Sequence, residues 1–215
     1  MIGSDLLKLN LDKKKFIVFD FECVEGLNLF YGRPHELAWC ECERGEVVAE
    51  HQFYLKWPKP WNISVKAAEV TRFNEALIDE IGVDPREAFE KFRNVVYNSD
   101  YWIVGSNTLN YDIMILYNSL KRLGMDHDYS FLNRCYDINA LYKAYKLGRK
   151  VNNKELLSFQ FCANNFIQKG LKSNVTFMAK EFGIEVDETR THGAEYDVFV
   201  ERSIFFELIK KIDLE

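Results

Sequence analysis

Apolar positions along this chain follow two kinds of pattern, and each predicts a different element. Phe16-Ile17-Val18-Phe19 is a continuous apolar run that closes on Asp20, which predicts a strand buried on both faces. His35 to Glu43 and Val47 to Lys56 flank Glu43-Arg44-Gly45-Glu46, which predicts a hairpin. Tyr101-Trp102-Ile103-Val104-Gly105 predicts a second buried strand. Helical patterns cover Arg86 to Tyr97, Tyr111 to Leu123, Ile138 to Leu147, Glu155 to Gln168, Val175 to Phe182 and Ala194 to Ile212. Several close on a glycine (Gly124, Gly148, Gly170, Gly183), as helix C-termini commonly do. Strands first, then helices with strands between them, predict an α/β sheet with an antiparallel meander on its N-terminal side.

With 215 residues, 47% hydrophobic and 28% charged, the chain suits one domain spanning 1–215 with its core at about 14–212. No long-period repeat or Pro/Gly/Ser-rich linker divides it. The longest uninterrupted apolar run is short, Ile113 to Tyr117, against the ~20 residues a membrane span requires. The start of the chain, with Lys13-Lys14-Lys15 after a few leucines, offers no signal-peptide core. A cytoplasmic location without membrane contact is therefore expected. The five cysteines, Cys23, Cys40, Cys42, Cys135 and Cys162, are scattered and contain no CxxC pair, so reduced buried thiols are expected. A net charge of −5 argues against a phosphate-binding protein, unless some of the acids are meant for metal.

Acids at three places in the chain stand against the pattern around them. Asp20 and Glu22 end an apolar strand, and alternation aims both to one side, where two like charges repel unless a cation sits between them. A solvated loop start and a hard-metal site both satisfy that observation. Asp112 follows the polar bend Gly105 to Asn110 and opens a helix, where the helix dipole alone would accommodate it. Asp197 lies inside the last helix, five residues after His192. A helix would not bring those two together, whereas a loop at His192 pivoting on Gly193 would; a cap or surface histidine is the plainer alternative. Taken jointly, four carboxylates and one histidine beside apolar elements form an oxygen-rich set suited to magnesium or manganese. Two such ions ~3.5–4 Å apart clamp the attacking and leaving oxygens of a phosphoryl displacement.

On these residues the sequence resembles the DEDDh 3′→5′ exonucleases, a ribonuclease-H-like family that includes the proofreading subunit of bacterial replicative polymerases. Phe19-Asp20-Phe21-Glu22 matches the first motif, Val104 to Asp112 resembles the second, and His192-Gly193-Ala194-Glu195-Tyr196-Asp197 matches the third with its His-x4-Asp spacing. Glu36-Leu37-Ala38 and Tyr136-Asp137 resemble weaker family positions, and Gly193 excludes the sister group that carries tyrosine there. The chain departs from the family in four places. Cys23-Val24-Glu25-Gly26 follows Glu22 where the family has Thr-Thr-Gly, Ser106 replaces a histidine, and Ala67-Ala68-Glu69-Val70 lacks the usual Ile-His-Gly-Ile. Asn107 stands five residues before Asp112, as in the exonuclease domains of family B DNA polymerases.

The resemblance implies a ribonuclease-H-like mixed sheet, an antiparallel meander plus parallel strands, flanked by helices. It implies a 3′→5′ exonuclease that releases nucleoside monophosphates, with single-stranded DNA expected over RNA, in proofreading or end processing. Two divalent ions, Mg²⁺ or Mn²⁺, would be held by Asp20, Glu22, Asp112 and Asp197, with Asp20 bridging them. His192 would be the general base, since imidazole exchanges protons near neutral pH. Substrate contacts are expected at Phe21, Cys23, Leu27 and Asn107. The basic, aromatic-bearing stretch with Tyr142, Tyr145, Lys146, Arg149 and Lys150 reads either as a strand-tracking surface or as a solvated helix face. A DNA polymerase or another replication protein is the expected partner. An exoribonuclease, or a non-catalytic replisome interaction module on the same fold, are the rival readings.

Overall fold

A computed structural model of the chain describes residues 14–25, 30–151 and 153–212. The order of elements is β1 (Lys15–Cys23), β2 (Pro34–Glu43), β3 (Glu46–Tyr54), α1 (Val65–Val70), α2 (Glu75–Ile81), α3 (Pro85–Val96), β4 (Tyr101–Gly105), α4 (Asp112–Arg122), β5 (Cys135–Asp137), α5 (Ile138–Lys146), α6 (Leu156–Asn165), α7 (Val175–Glu181) and α8 (Ala194–Leu208). The strands form one sheet in the order β3-β2-β1-β4-β5. The β1–β2 and β2–β3 pairs are antiparallel, and β1–β4 and β4–β5 are parallel. The expected meander plus parallel strands is the architecture found.

Alternation along β1 divides the core into two layers. Phe16 and Val18 join Ala38 and Cys40 against α5, α7 and α8. Ile17, Phe19 and Phe21 join Leu37 and Trp39 against α3 and α4, where the Phe92 ring meets Phe19 at 5.1 Å and Trp39 at 5.1 Å. The apolar run predicted a strand ending at Phe19, but β1 continues to Cys23, because β2 supplies partners as far as Asp20 opposite Ala38 and Glu22 opposite Glu36. Asp20 and Glu22 therefore extend the face that carries Phe16 and Val18, toward α8.

The remaining differences have equally local causes. β5 has three residues, too few to show any periodicity. α1 and α2 are short helices stopped after two turns or fewer, and Ser64 and Asn74 cap them by accepting from the N–H groups of Ala67 and Leu77. The last helix ends at Leu208 rather than Ile212. Cys23, Cys40, Cys42 and Cys135 are buried free thiols, whereas Cys162 is exposed. No helix among the described residues is long and apolar enough to cross a membrane.

Candidate active site

Parallel pairing between β1 and β4 stops at Val18 opposite Val104, and beyond it the two strands separate. In sheets of this kind the crevice at the carboxyl ends of the parallel strands is where ligands bind. Here the crevice is a cleft of about 550 Å³. Asp20, Glu22, Asp112, His192 and Asp197 all line it, together with Asn107, Tyr111, Asn139 and Val200, and no lysine or arginine does so among the described residues. Four elements deliver the five residues: β1 carries Asp20 and Glu22, the start of α4 carries Asp112, the loop before α8 carries His192, and the first turn of α8 carries Asp197.

The loop between β4 and α4 is shaped by close contact. A Cβ on Gly105 would lie 2.1 Å from Thr108 Oγ1 and 3.1 Å from the Phe19 carbonyl oxygen, so only glycine fits. Asn107 then takes a left-handed conformation at φ +59, which Asn tolerates better than most residues. Asp137, fully buried at the end of β5, accepts N–H bonds from Asn107 at 3.2 Å and Leu109 at 3.0 Å. It also accepts from Asn139 at 3.0 Å and Ala140 at 3.2 Å, so one carboxylate caps α5 and grips the loop that leads to Asp112.

The loop carrying His192 is held from three sides. Arg72 donates to the carbonyl oxygens of Glu188 and Thr189. Glu36, paired with Gln52 at 2.7 Å, faces the start of α8, where the N–H groups of Ala194 and Glu195 partly offset the burial that raises its carboxyl. The His192 N–H donates to Asp197 Oδ2 at 3.1 Å. The expected pivot is displaced by one residue: Gly193 is extended at φ −124, and His192 itself takes the left-handed conformation at φ +63. A bond from the His192 N–H back to Asp197 imposes that turn on a non-glycine residue, as happens at functional loops. A ligating atom from each of Glu22, His192 and Asp197 lies within 4.8 Å of the others.

Electrostatics set this cluster apart from a solvated acidic surface. Burial, then the charges of Asp197, Glu36 and Asp112, push the Glu22 carboxyl up to about 8. Burial raises Asp112 to about 8 as well, with Asp137 adding to it and the Phe21 N–H opposing it. Asp20 is driven well above the usual carboxylate range by burial and by Glu22, Asp112, Glu201 and Asp197. Asp197 is also raised by burial, against the opposing His192 N–H. Asp112 Oδ1, buried, has no hydrogen-bond partner among the described residues. Carboxylates concentrated this way, with an orphaned oxygen and no lysine or arginine in the cleft among the described residues, are a donor set that fits hard divalent cations.

Other expected contacts are placed less uniformly. Phe21 lines the cleft, yet its ring packs in the opposite layer, 5.8 Å from Phe89 and 5.9 Å from Phe92. Cys23 is buried and hydrogen-bonds Tyr111. Leu27 lies outside the described residues. Lys146 pairs with Glu181 at 2.9 Å, Arg149 lies over the Phe166 ring at 5.4 Å, and neither these nor Lys150 line the cleft. Sequence reasoning missed Glu201, Arg72, Tyr111 and Asn139. Only Glu201 left a trace in the sequence, as an acid one turn after Asp197 in an otherwise apolar stretch of helix.

A mixed sheet in this order, with acids at the crevice end of β1 and on the helices that follow β4 and precede the C-terminus, is a ribonuclease-H-like fold of the kind found in exonuclease I. Particular proteins share it. E. coli exonuclease I in complex with a dA16 oligonucleotide superposes with a TM-score of 0.71 at 17% identity, over 92% of this chain and 41% of that one. The zinc-bound E. coli exonuclease I–ssDNA complex gives 0.72 at 18% identity, over 92% and 40%. In sequence, the chain is 25% identical over 202 residues to a PolC-type DNA polymerase III of Mycoplasma genitalium, which is 94% of this chain and 12% of that protein. The chain thus spans about an eighth of the polymerase and about two fifths of exonuclease I. No protein-family model matches the sequence.

Proposed function

We propose that this chain is a divalent-metal-dependent 3′→5′ exonuclease that releases nucleoside monophosphates from single-stranded DNA ends. The observation that carries this reading is the convergence of Asp20, Glu22, Asp112, Asp197 and His192 on one cleft with no lysine or arginine among the described residues to neutralise it. Asp20, Glu22 and Asp197 would hold one ion and Asp20 and Asp112 a second. The ions, when bound, supply charge that stabilises the phosphoryl transition state and offset the repulsion between the acids and a phosphodiester. His192, beside Glu22 and Asp197, takes a proton from the attacking water. The water oxygen bonds to phosphorus, the P–O3′ bond breaks, and O3′ takes a proton from solvent as the shortened strand leaves with a 3′ hydroxyl. Left-handed backbone at His192 and the Arg72 and Glu36 contacts keep the imidazole over the acids without a covalent tether.

The DNA preference is supported by the exonuclease I complexes with dA16 and dT13 oligonucleotides, whose fold this chain shares. The likeness to a PolC-type polymerase, and to an exonuclease I complex with the SSB C-terminus, supports a replication protein as partner. A panel of 3′-labelled single-stranded DNA, duplex DNA and RNA, incubated with Mg²⁺, Mn²⁺ or EDTA, tests the reading. Stepwise loss of label from single-stranded DNA with either metal, abolished by EDTA, is expected. Release from RNA alone would make it an exoribonuclease, and no release from any substrate would leave a non-catalytic module.

A further inference from the structure

Glu201 is a fifth carboxylate in the neighbourhood of the four acids, and the reaction above does not use it. It lies on α8 one turn after Asp197, is only 4% exposed, and does not line the cleft. No lysine, arginine or histidine pairs with it among the described residues; the adjacent Arg202 reaches Glu50 instead, at 3.6 Å. A carboxylate in this position weakens the core, and its charge repels Asp197 along the same helix face. What it does make is one hydrogen bond, from the Ser106 N–H to Glu201 Oε2 at 3.2 Å.

That bond falls at a particular place in the chain. The β4 ladder ends at Gly105, paired with Asp137, so Ser106 carries the first amide beyond the sheet. The next amides of the loop, at Asn107 and Leu109, go to Asp137 at the head of α5. Two carboxylates thus replace a strand as the acceptors for this loop, one from the end of β5 and one from α8. Among the described residues, the Glu201 bond is the hydrogen bond that ties the loop to the helix bearing Asp197, while the same loop runs directly into Asp112.

We propose that Glu201 is a positioning residue, whose acceptor oxygen holds the Ser106 N–H and thereby fixes the spacing between Asp112 and Asp197. The proposal rests on the exonuclease reading for its purpose, but its physical content is the distance between two metal-ligating carboxylates. Side-chain shape and acceptor can be separated: Glu201→Gln keeps an acceptor oxygen, and Glu201→Met keeps the volume without one.

The test combines three measurements on wild type and both variants: exchange of the Ser106 amide by NMR, Mn²⁺ affinity by calorimetry, and kcat and KM on a single-stranded oligonucleotide. Glu201→Met is expected to exchange Ser106 at least tenfold faster, bind Mn²⁺ at least fivefold more weakly, and lose tenfold or more in kcat with KM unchanged. Glu201→Gln is expected to recover Ser106 protection and Mn²⁺ affinity to within about threefold of wild type. Equal impairment in the two variants would show that charge, not the hydrogen bond, matters, and would overturn the proposal. So would wild-type metal affinity in Glu201→Met, or failure of that variant to fold, since a positioning carboxylate is dispensable to the core. If the wild-type chain shows the expected Ser106 and Mn²⁺ behaviour but releases no nucleotide, the exonuclease reading fails while the role of Glu201 stands.

Discussion

Stripped of divalent cations, this protein should lose stability as the pH rises through neutrality, the reverse of ordinary acid denaturation. Glu22, normally near 4.5, is held up at about 8, and Asp112, normally near 3.8, also at about 8. The unfolded chain ionises both at their ordinary values, so across this window the folded state binds more protons than the unfolded one. Stability is then fully present below about pH 4 and is lost as the pH rises through about 8. A single proton held across that interval is worth about 1.4 kcal/mol per pH unit. Because the charges of Glu22 and Asp112 act on one another, the two sites titrate together, and a few kcal/mol is the scale to expect from the pair. At ~2–4 °C per kcal/mol for a chain of this size, the melting temperature in EDTA should fall by roughly 10 °C between about pH 5 and 8.5. Millimolar magnesium should flatten that curve, since the cation offsets the repulsion and binds only the folded state. Calorimetric melts in EDTA and in magnesium across this range are the assay, and Asp20→Asn should flatten the EDTA curve by removing one charge. Parallel EDTA and magnesium curves would mean that the acids do not form a mutually repelling cluster.

His192→Ala should keep its metal affinity but lose about 10²–10⁴-fold in turnover near neutral pH, with partial recovery as the pH is raised and hydroxide replaces the missing base. Asp112→Asn should lose metal affinity and show no such recovery; equal loss of affinity in the two variants would make His192 a ligand rather than a base. Asp137→Ala removes the acceptor of four backbone N–H groups, and an urea titration should show more than about 3 kcal/mol of lost stability, with a value under about 1 kcal/mol refuting its anchoring role.

The amino-acid sequence by itself determined the layers and singled out the acids that the fold brings to one cleft. Continuous apolar runs at Phe16 to Phe19 and Tyr101 to Val104 can only be central strands, because a strand with a solvent face would alternate. The period of the later segments could only be helical, and glycines marked where several helices stop. Asp20 and Glu22 were legible because they close an apolar strand, whereas Asp112 and Asp197 each suit a first helical turn and stood out only when taken jointly with His192. What the sequence could not contain is distance. Asp20 and Asp197 are separated by most of the chain, and they share a cleft because β1 outruns its parallel partner and α8 packs across the same face. The roles of the supports were equally invisible: Glu36 and Asp137 stood out only as weak family positions and Glu201 only as an acid in an apolar stretch, and a backbone group that a remote carboxylate or Arg72 grips has no residue-specific signature. Phe21 shows the converse limit. Its position beside the acids marked it for the substrate, but alternation along β1 turned its ring into the opposite layer. Local pattern fixes which face a side chain takes, and only the packing of distant elements decides what that face meets.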